Sequence, residues 1–325
     1  MKPTSLPGTP QSAGSSPDKR RCRNPKGALG PWLGGLALRG LAVLAPRLSC
    51  KGASRLGAVL GWVMLICSHH RNRIALRNLS FAFKEKDGEE RKRILRKCCE
   101  NVGKSLVEFL RLPPLGGNGE IHELVSLEGE QHLRTALGKG RGVILLTAHY
   151  GNWELVGAKL AACGYPLNVL ARPQRDERTT RLMNRIREAA GMRVLTSRNA
   201  SSGEILQCLR KGEIVGFLND QNAGRKGVFV DFFGRPASTP GGAALFALRT
   251  KAAVVPMFAL RNENDTHVAL LLPEVEIIQT GNLRRDVAAN TALFTRLIEE
   301  QIRTRPELWF WLHDRWRARP PEEAA

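Results

Sequence analysis

The sequence predicts an α/β fold, a mostly parallel sheet flanked by helices, with an N-terminal helical membrane-associating segment. Three observations carry this. Beyond residue 120, short apolar runs of strand length alternate with amphipathic stretches closed by glycine, the pattern of strand–helix units around a parallel sheet. Before residue 71 lie two apolar runs, "GALGPWLGGLAL" and "LGAVLGWVMLIC". Those runs are embedded in basic sequence: from Met1 to Arg77 there are thirteen Lys or Arg and one acid, Asp18.

In chain order, residues 1–25 are rich in Ser, Pro, Gly and basic residues and read as a disordered basic N-terminus. Residues 26–70 hold the apolar helices, 71–320 the α/β domain, and 321–325 a tail. Neither apolar run alone reaches the ~18 uncharged residues of a confident membrane span. Joined across Arg39, Gly27–Pro46 is long enough if the arginine snorkels. The alternatives are an interfacial helix, a buried core helix or a secretory signal; Arg39 and Arg47 interrupt the last. "RLSC" at Arg47–Cys50 lacks the aliphatic residue a lipoprotein cleavage site needs. "HHRNRIALRNLSFAF" follows, then a charged run with Ile94, Leu95, Cys98, Val102, Leu106 and Phe109 three or four residues apart, an amphipathic helix ended by "PPLGGNG".

From there the elements alternate. "LVSLEG" is a strand and "EQHLRTALGKG" a helix; "GVILLTA" is a buried strand and "NWELVGAKLAACG" a helix. The same reading gives strands at "LNVLA", "RVLTS" and "IVGFLND", with helices at "DERTTRLMNRIREAAG" and "SSGEILQCLRKG". "GVFVDFFG" is a strand running into a turn, "GGAALFALRTK" a helix, "AVVPMFALR" and "HVALLLPEVEII" strands, and "VAANTALFTRLIEEQIRTRP" the last long helix. No internal repeat is present.

The formal charge of +20 implies an anionic partner. Basic residues interleaved with Leu and Trp favour a membrane surface over nucleic acid, whose binders set basic residues among exposed aromatics. The seven cysteines are odd in number and form no C-x-x-C, which reads as reduced cytosolic thiols and no zinc site.

Chemistry concentrates in "TAHYGNWELVG". In open α/β sheets reactive groups collect at the carboxyl ends of strands, and His149 follows "GVILLTA" there. Gly151 permits a sharp turn, Asn152 suits an N-cap, and Glu154 falls in the first helical turn, where the helix dipole favours its ionised form. A carboxylate beside an imidazole fixes its tautomer and leaves the other nitrogen free to accept a proton from a hydroxyl. The plainer reading is a histidine that satisfies a loop backbone. H-E-x-x-H and G-x-S-x-G are absent from the sequence, which argues against a zinc protease and a serine hydrolase.

"HYGNWE" resembles the H-x-x-x-x-[DE] signature of glycerolipid-type acyltransferases, in the form found in bacterial lipid A biosynthesis acyltransferases of the lauroyl and myristoyl kind. Other blocks agree in order: "RNLSFAF", "LARPQRD", "LNDQNAGRKGVFVDFFGRPASTPGGAALFALRT", "VVP" and "PELWFWLHDRWRARP". Together they span about residues 30–320. Lys84 stands where the family has proline. The resemblance implies a glycerolipid acyltransferase-like fold at the cytoplasmic face of the inner membrane. It implies an acyl-acyl carrier protein donor, a lipid A precursor or other glycolipid acceptor, and no cofactor or metal. By position, His149 is the general base and Glu154 its orienting partner; Asn152, Arg172, Asp220, Gln221 and Arg235 are expected at the substrate. A thioester needs only a base and an oxyanion donor, because a thiolate leaves readily.

Each residue has a plainer reading. Arg172 fits a surface ion pair, and Arg235 a solvated turn. Phe232 and Phe233 fit core packing better than an acyl tunnel, and "WFWLHDRW" fits packing better than an interfacial anchor. The alternative functions are acylation of a lysophospholipid or glycosylated inositol lipid, and, from another class, a non-catalytic membrane-bound basic adaptor.

Overall fold

The computed structural model describes residues 29–117, 119–174, 176–196 and 202–320; the expected N-terminal disorder and the tail lie outside them. The chain opens with α1 (Leu29–Leu44), a single 3-10 turn (Ala45–Arg47) and α2 (Cys50–Cys67), whose N-cap Ser49 accepts from the Gly52 N–H. α3 (His69–Ala82) and α4 (Gly88–Leu110) follow. α4 starts at a capping box: the Asp87 side chain accepts from Glu90 N–H, and the Glu90 side chain accepts from Asp87 N–H. Among the described residues, the helix long and apolar enough to cross a membrane is α2; the start of the Gly27–Pro46 stretch lies outside them. One face of α2 is committed to α4. A Cβ on Gly57 would come 2.4 Å from the Lys104 Cα, one on Gly61 2.5 Å from the Cys99 carbonyl oxygen, and one on Gly103 2.1 Å from the Gly57 carbonyl oxygen. Only bare glycine lets the two backbones approach this closely.

Two short helices follow, α5 (Leu112–Gly117), which covers much of "PPLGGNG", and α6 (Glu120–Leu124). The α/β part then runs β1 (Val125–Glu128), α7 (Glu130–Gly138), β2 (Val143–Thr147), α8 (Trp153–Ala162), β3 (Leu167–Ala171), α9 (Glu177–Ala189), β4 (Arg193–Thr196), α10 (Ser202–Arg210) and β5 (Ile214–Leu218). β6 (Val228–Phe232) and β7 (Arg235–Thr239) form a separate antiparallel hairpin, then α11 (Gly242–Thr250), β8 (Ala253–Arg261), β9 (His267–Leu271) and α12 (Leu283–Thr304) complete it. The seven-stranded sheet has the order β1-β9-β8-β2-β5-β3-β4. β8, β2, β5, β3 and β4 are parallel; β9 is antiparallel to β8 and parallel to β1. The mostly parallel α/β class is therefore the observed one.

Strand alternation divides the core. Val143, Leu145, Ile214, Leu167, Val255 and Met257 pack with α8 on one face. Ile144, Leu146, Val215, Phe217 and Val254 pack with α10, α11 and Phe294 of α12 on the other. A third, aromatic cluster joins Phe83 of the α3–α4 link, Phe232 and Phe233 of the hairpin, and Trp309, Trp311 and Trp316 after α12. Phe232 and Phe233, and the tryptophans of "WFWLHDRW", thus pack the core. Sequence reading missed β7: "RPAST" is polar and carries a proline, yet it pairs with all of β6 at an edge where Pro236 lies opposite Asp231.

Candidate active site

The site forms where β2 and β5 end. In the parallel register of these neighbours, Thr147 lies opposite Leu218 and the Asn219 N–H donates to the Thr147 carbonyl. Carried two residues further, the same register sets His149 across from Asp220. The Asp220 carboxylate accepts from the His149 backbone N–H (2.9 Å) and pairs with the imidazole Nδ1 (2.8 Å). Its third donor is the Trp309 indole, Nε1 to Oδ2 at 2.8 Å. Asp220 is 2% exposed. Burial by itself raises a carboxyl; the His149 imidazole, the hydrogen bonds from His149 and the Trp309 N–H outweigh it and hold Asp220 below the ordinary carboxylate value. An ionised Asp220 accepts only, so Nδ1 carries the proton and Nε2 the lone pair. The Gln221 amide nitrogen lies 3.2 Å from Nε2 and donates to it.

The backbone around His149 is clamped. Phe310 N–H donates to the His149 carbonyl, Gly151 N–H donates to the Leu308 carbonyl, and Tyr150 bridges Trp309. Gly151 has φ +59°, and a Cβ there would sit 1.9 Å from the Ala259 carbonyl oxygen. Both facts demand glycine.

The carboxylate bonded to the His149 ring is that of Asp220, expected at the substrate, while Glu154, expected there, pairs with an arginine. Glu154 lies in the first turn of α8, within reach of α9, and both its oxygens accept from Arg187, with contacts from 2.5 to 3.2 Å. Asn152 is the N-cap of α8, its Oδ1 accepting from Leu155 N–H. Its Nδ2 donates to Glu108 of α4 at 2.7 Å. At 1% exposed, with its amide oxygen capping α8 and its nitrogen bonded to Glu108, Asn152 ties the His149 loop to α4. Glu108 is in turn gripped by both terminal nitrogens of Arg261. Burial opposes its ionisation, but the His267 ring and the Arg261 guanidinium push it down to about 2. Arg235 stands away from this cluster, its guanidinium 3.8 Å from the Phe81 ring centroid.

Two cavities meet at His149, Trp153 and Glu154. The larger, about 670 Å³, opens beside Arg172, Gln174 and Gln221 and descends along the sheet face under α8. Its floor is Leu145, Leu167, Met192 and Met257, each 2% exposed or less, with Gly157 of α8 and Gly216 of β5 leaving the space between. The smaller, about 180 Å³, is walled by Val102, Leu106 and Phe109 of α4, Met183 and Phe310. Arg187 lines the larger cavity, paired with Glu154 and 5.4 Å from the Phe109 ring that walls the smaller.

Four residues of this arrangement escaped sequence reading. Glu108 and Arg261 are two ordinary charges among many, far apart in the chain. Arg187 sits on a helix rich in arginine. Trp309 was visible in its aromatic run, but nothing local signals that its N–H meets an aspartate 89 residues earlier.

With the geometry in place, comparison with known proteins is decisive. The sequence profile of the bacterial lipid A biosynthesis acyltransferases matches residues 16–318. The chain belongs to that family. It is an acyltransferase, and His149 and Asp220 lie within the matched region. It is similar to the lipid A biosynthesis palmitoleoyltransferase of Escherichia coli K12, 28% identical over 83% of this chain and 86% of the relative. It is similar also to the lipid A biosynthesis lauroyltransferase of the same organism, 27% identical over 89% and 92%. The phosphatidylinositol mannoside acyltransferase of Mycolicibacterium smegmatis is 30% identical over 64% of this chain and 67% of its own.

Proposed function

We propose that this acyltransferase moves a fatty acyl chain from an acyl-acyl carrier protein thioester to a hydroxyl of a lipid A precursor, at the cytoplasmic face of the inner membrane. The observation that carries the reading is His149: Nδ1 is held by a buried carboxylate, and Nε2 faces a cleft whose inner half is apolar. The acceptor hydroxyl displaces Gln221 from Nε2 and gives its proton to that nitrogen as its oxygen attacks the thioester carbonyl. The carbonyl becomes a tetrahedral oxyanion, for which the Gln221 amide beside Nε2 is a side-chain donor. Collapse re-forms the carbonyl as an ester and breaks the C–S bond; the thiolate leaves with the proton from the imidazolium. Asp220 stabilises that imidazolium throughout. The acyl chain occupies the channel above Gly216, and Arg172 at its mouth faces the anionic carrier or the phosphates of the acceptor.

The relatives support this acceptor, since two are named for lipid A biosynthesis. A second acceptor, a mannosylated inositol lipid, is favoured by the mycobacterial relative. Mass spectrometry of lipid A and total phospholipid, from cells with and without the protein, separates the two. A missing secondary acyl chain on lipid A supports the first, and a change confined to glycosylated inositol lipid supports the second.

The membrane arrangement follows from α2. Its small face is bound to α4 at Cys99–Lys104, where Glu100 and Lys104 are ion-paired, so carrying α2 across a bilayer would draw charged helix into hydrocarbon. Its other face exposes Val59, Trp62, Val63 and Ile66, beside Lys51 and Arg55 at one end and Arg71 and Arg73 beyond the other. We read α2 as lying along an anionic leaflet.

A further inference from the structure

The segment after α12 does more than fill the aromatic core. Pro306–Leu308 forms one 3-10 turn, after which Trp309 is extended and bridges Tyr150 in antiparallel fashion. The Cys98 thiol donates to the Trp309 carbonyl at 3.2 Å, and the ring packs against Phe232 and Trp311. These contacts hold the indole in one orientation, 1% exposed, with Nε1–H aimed at Asp220.

Asp220 Oδ1 serves the His149 ring, and Oδ2 receives the His149 backbone N–H. Both donors belong to the residue that Asp220 must orient, so neither fixes the carboxylate independently of His149. Trp309 does. We propose that Trp309 is a positioning residue of the acyl-transfer reaction: its indole N–H fixes the Asp220 carboxylate that orients His149, giving a three-membered Trp309–Asp220–His149 relay anchored on the C-terminal segment. This rests on the reading of His149 as general base.

The same segment secures the loop that carries Asp220. His313 Nε2 accepts from Asn222 N–H at 3.0 Å, and Asn222 Nδ2 donates to the Arg315 carbonyl at 3.0 Å. The Arg315 guanidinium donates to the Ser238 carbonyl and the Thr239 hydroxyl of β7. The charged and titratable groups around the relay are thus His313 and Arg315 on the C-terminal segment and the Glu154–Arg187 pair on α8 and α9. None of them donates to the Asp220 carboxylate. A neutral indole donor draws electron density from Asp220 without competing for its charge. Its removal leaves the carboxylate held by His149 alone, free to turn from the orientation that fixes the imidazole.

The test uses the full chain in detergent, with Trp309→Phe keeping the aromatic bulk and deleting the N–H. With lauroyl-acyl carrier protein and a lipid A precursor, kcat should fall about tenfold while KM stays within about twofold. Trp309→His places a ring N–H at similar reach and should recover part of the rate. In the wild-type protein, the Trp309 indole N–H resonance should shift when the His149 imidazole takes up a proton, because both bond the Asp220 carboxylate. That last readout needs neither a folded variant nor an acceptor. An indole signal indifferent to protonation of the imidazole, or a Trp309→Phe protein with unchanged kcat, would overturn the proposal. Loss of the functional reading looks different: no transfer by wild type, with the NMR coupling intact.

Discussion

Two carboxylates lie near His149, and their environments assign them different work. Asp220 is buried and bonded to Nδ1; Glu154 is bonded to Arg187. Asp220→Asn removes the acceptor that fixes the tautomer and should lower kcat by about 10²–10⁴-fold, with little change in KM. Glu154→Gln leaves the His149 tautomer intact and loosens Arg187 in the wall of the larger cavity. It should raise KM more than it lowers kcat. Steady-state kinetics on both variants checks the division, and equal kcat losses would return Glu154 to the imidazole. His313 adds a pH dependence. Burial pushes its ring down to about 4 from an ordinary 6.5, and in that neutral form it accepts from Asn222 N–H. A depressed histidine stabilises the fold fully above its unfolded value and loses that contribution as pH falls through its folded value, here between about pH 6.5 and 4. After screening of a partly exposed ring, roughly 2 kcal/mol is at stake. His313→Gln, which keeps an acceptor, should flatten the fall in thermal midpoint across that window; an unchanged slope would place the acid sensitivity elsewhere.

At the scale of elements, much of the architecture was legible and the pairings were not. Strand–helix alternation beyond residue 120 marked the elements because each apolar run had to be buried on a sheet. Asp220 stood in the sequence at the end of a strand, like His149, but only the β2–β5 neighbour relation brings them together. Strand order is a long-range property that no local window carries. Glu154, five residues from His149, was the nearer candidate in sequence, yet its carboxylate is bonded to Arg187 and not to the ring. α2 and the channel each give a test. Its Ala53, Gly57 and Gly61 face is taken by α4, leaving Trp62 and Val63 outward. Trp62→Asp should cost on the order of 2 kcal/mol of apolar burial in lipid, about thirtyfold in partition onto anionic vesicles. Rates on detergent-dispersed substrate should hold. Unchanged flotation with vesicles would move the docking face elsewhere. Gly216→Val puts branched carbons into the channel between Leu145 and Val169. It should lower kcat/KM for a long-chain donor at least tenfold and spare a short one. Equal effects on both would take the acyl chain out of this channel.

Across the whole molecule, the basic charge, the apolar face of α2 and the descending channel converge on one task. On the proposed reading, the acceptor stays in the leaflet, the acidic carrier approaches a surface of opposite sign, and the reacting carbonyl meets His149 at the mouth of the two cavities. The aromatic cluster after α12 links the ends of this assembly, tying the His149 loop to α3, α4 and the β6–β7 hairpin. The account stands on His149 as the base of an acyl transfer. The most direct measurement is transfer of labelled lauroyl from its carrier protein to a lipid A precursor by purified wild-type and His149→Ala protein, matched for thermal midpoint. The account requires transfer by wild type and a loss of about 10²–10⁴-fold in the variant; a folded His149→Ala protein that transfers at the wild-type rate would contradict it.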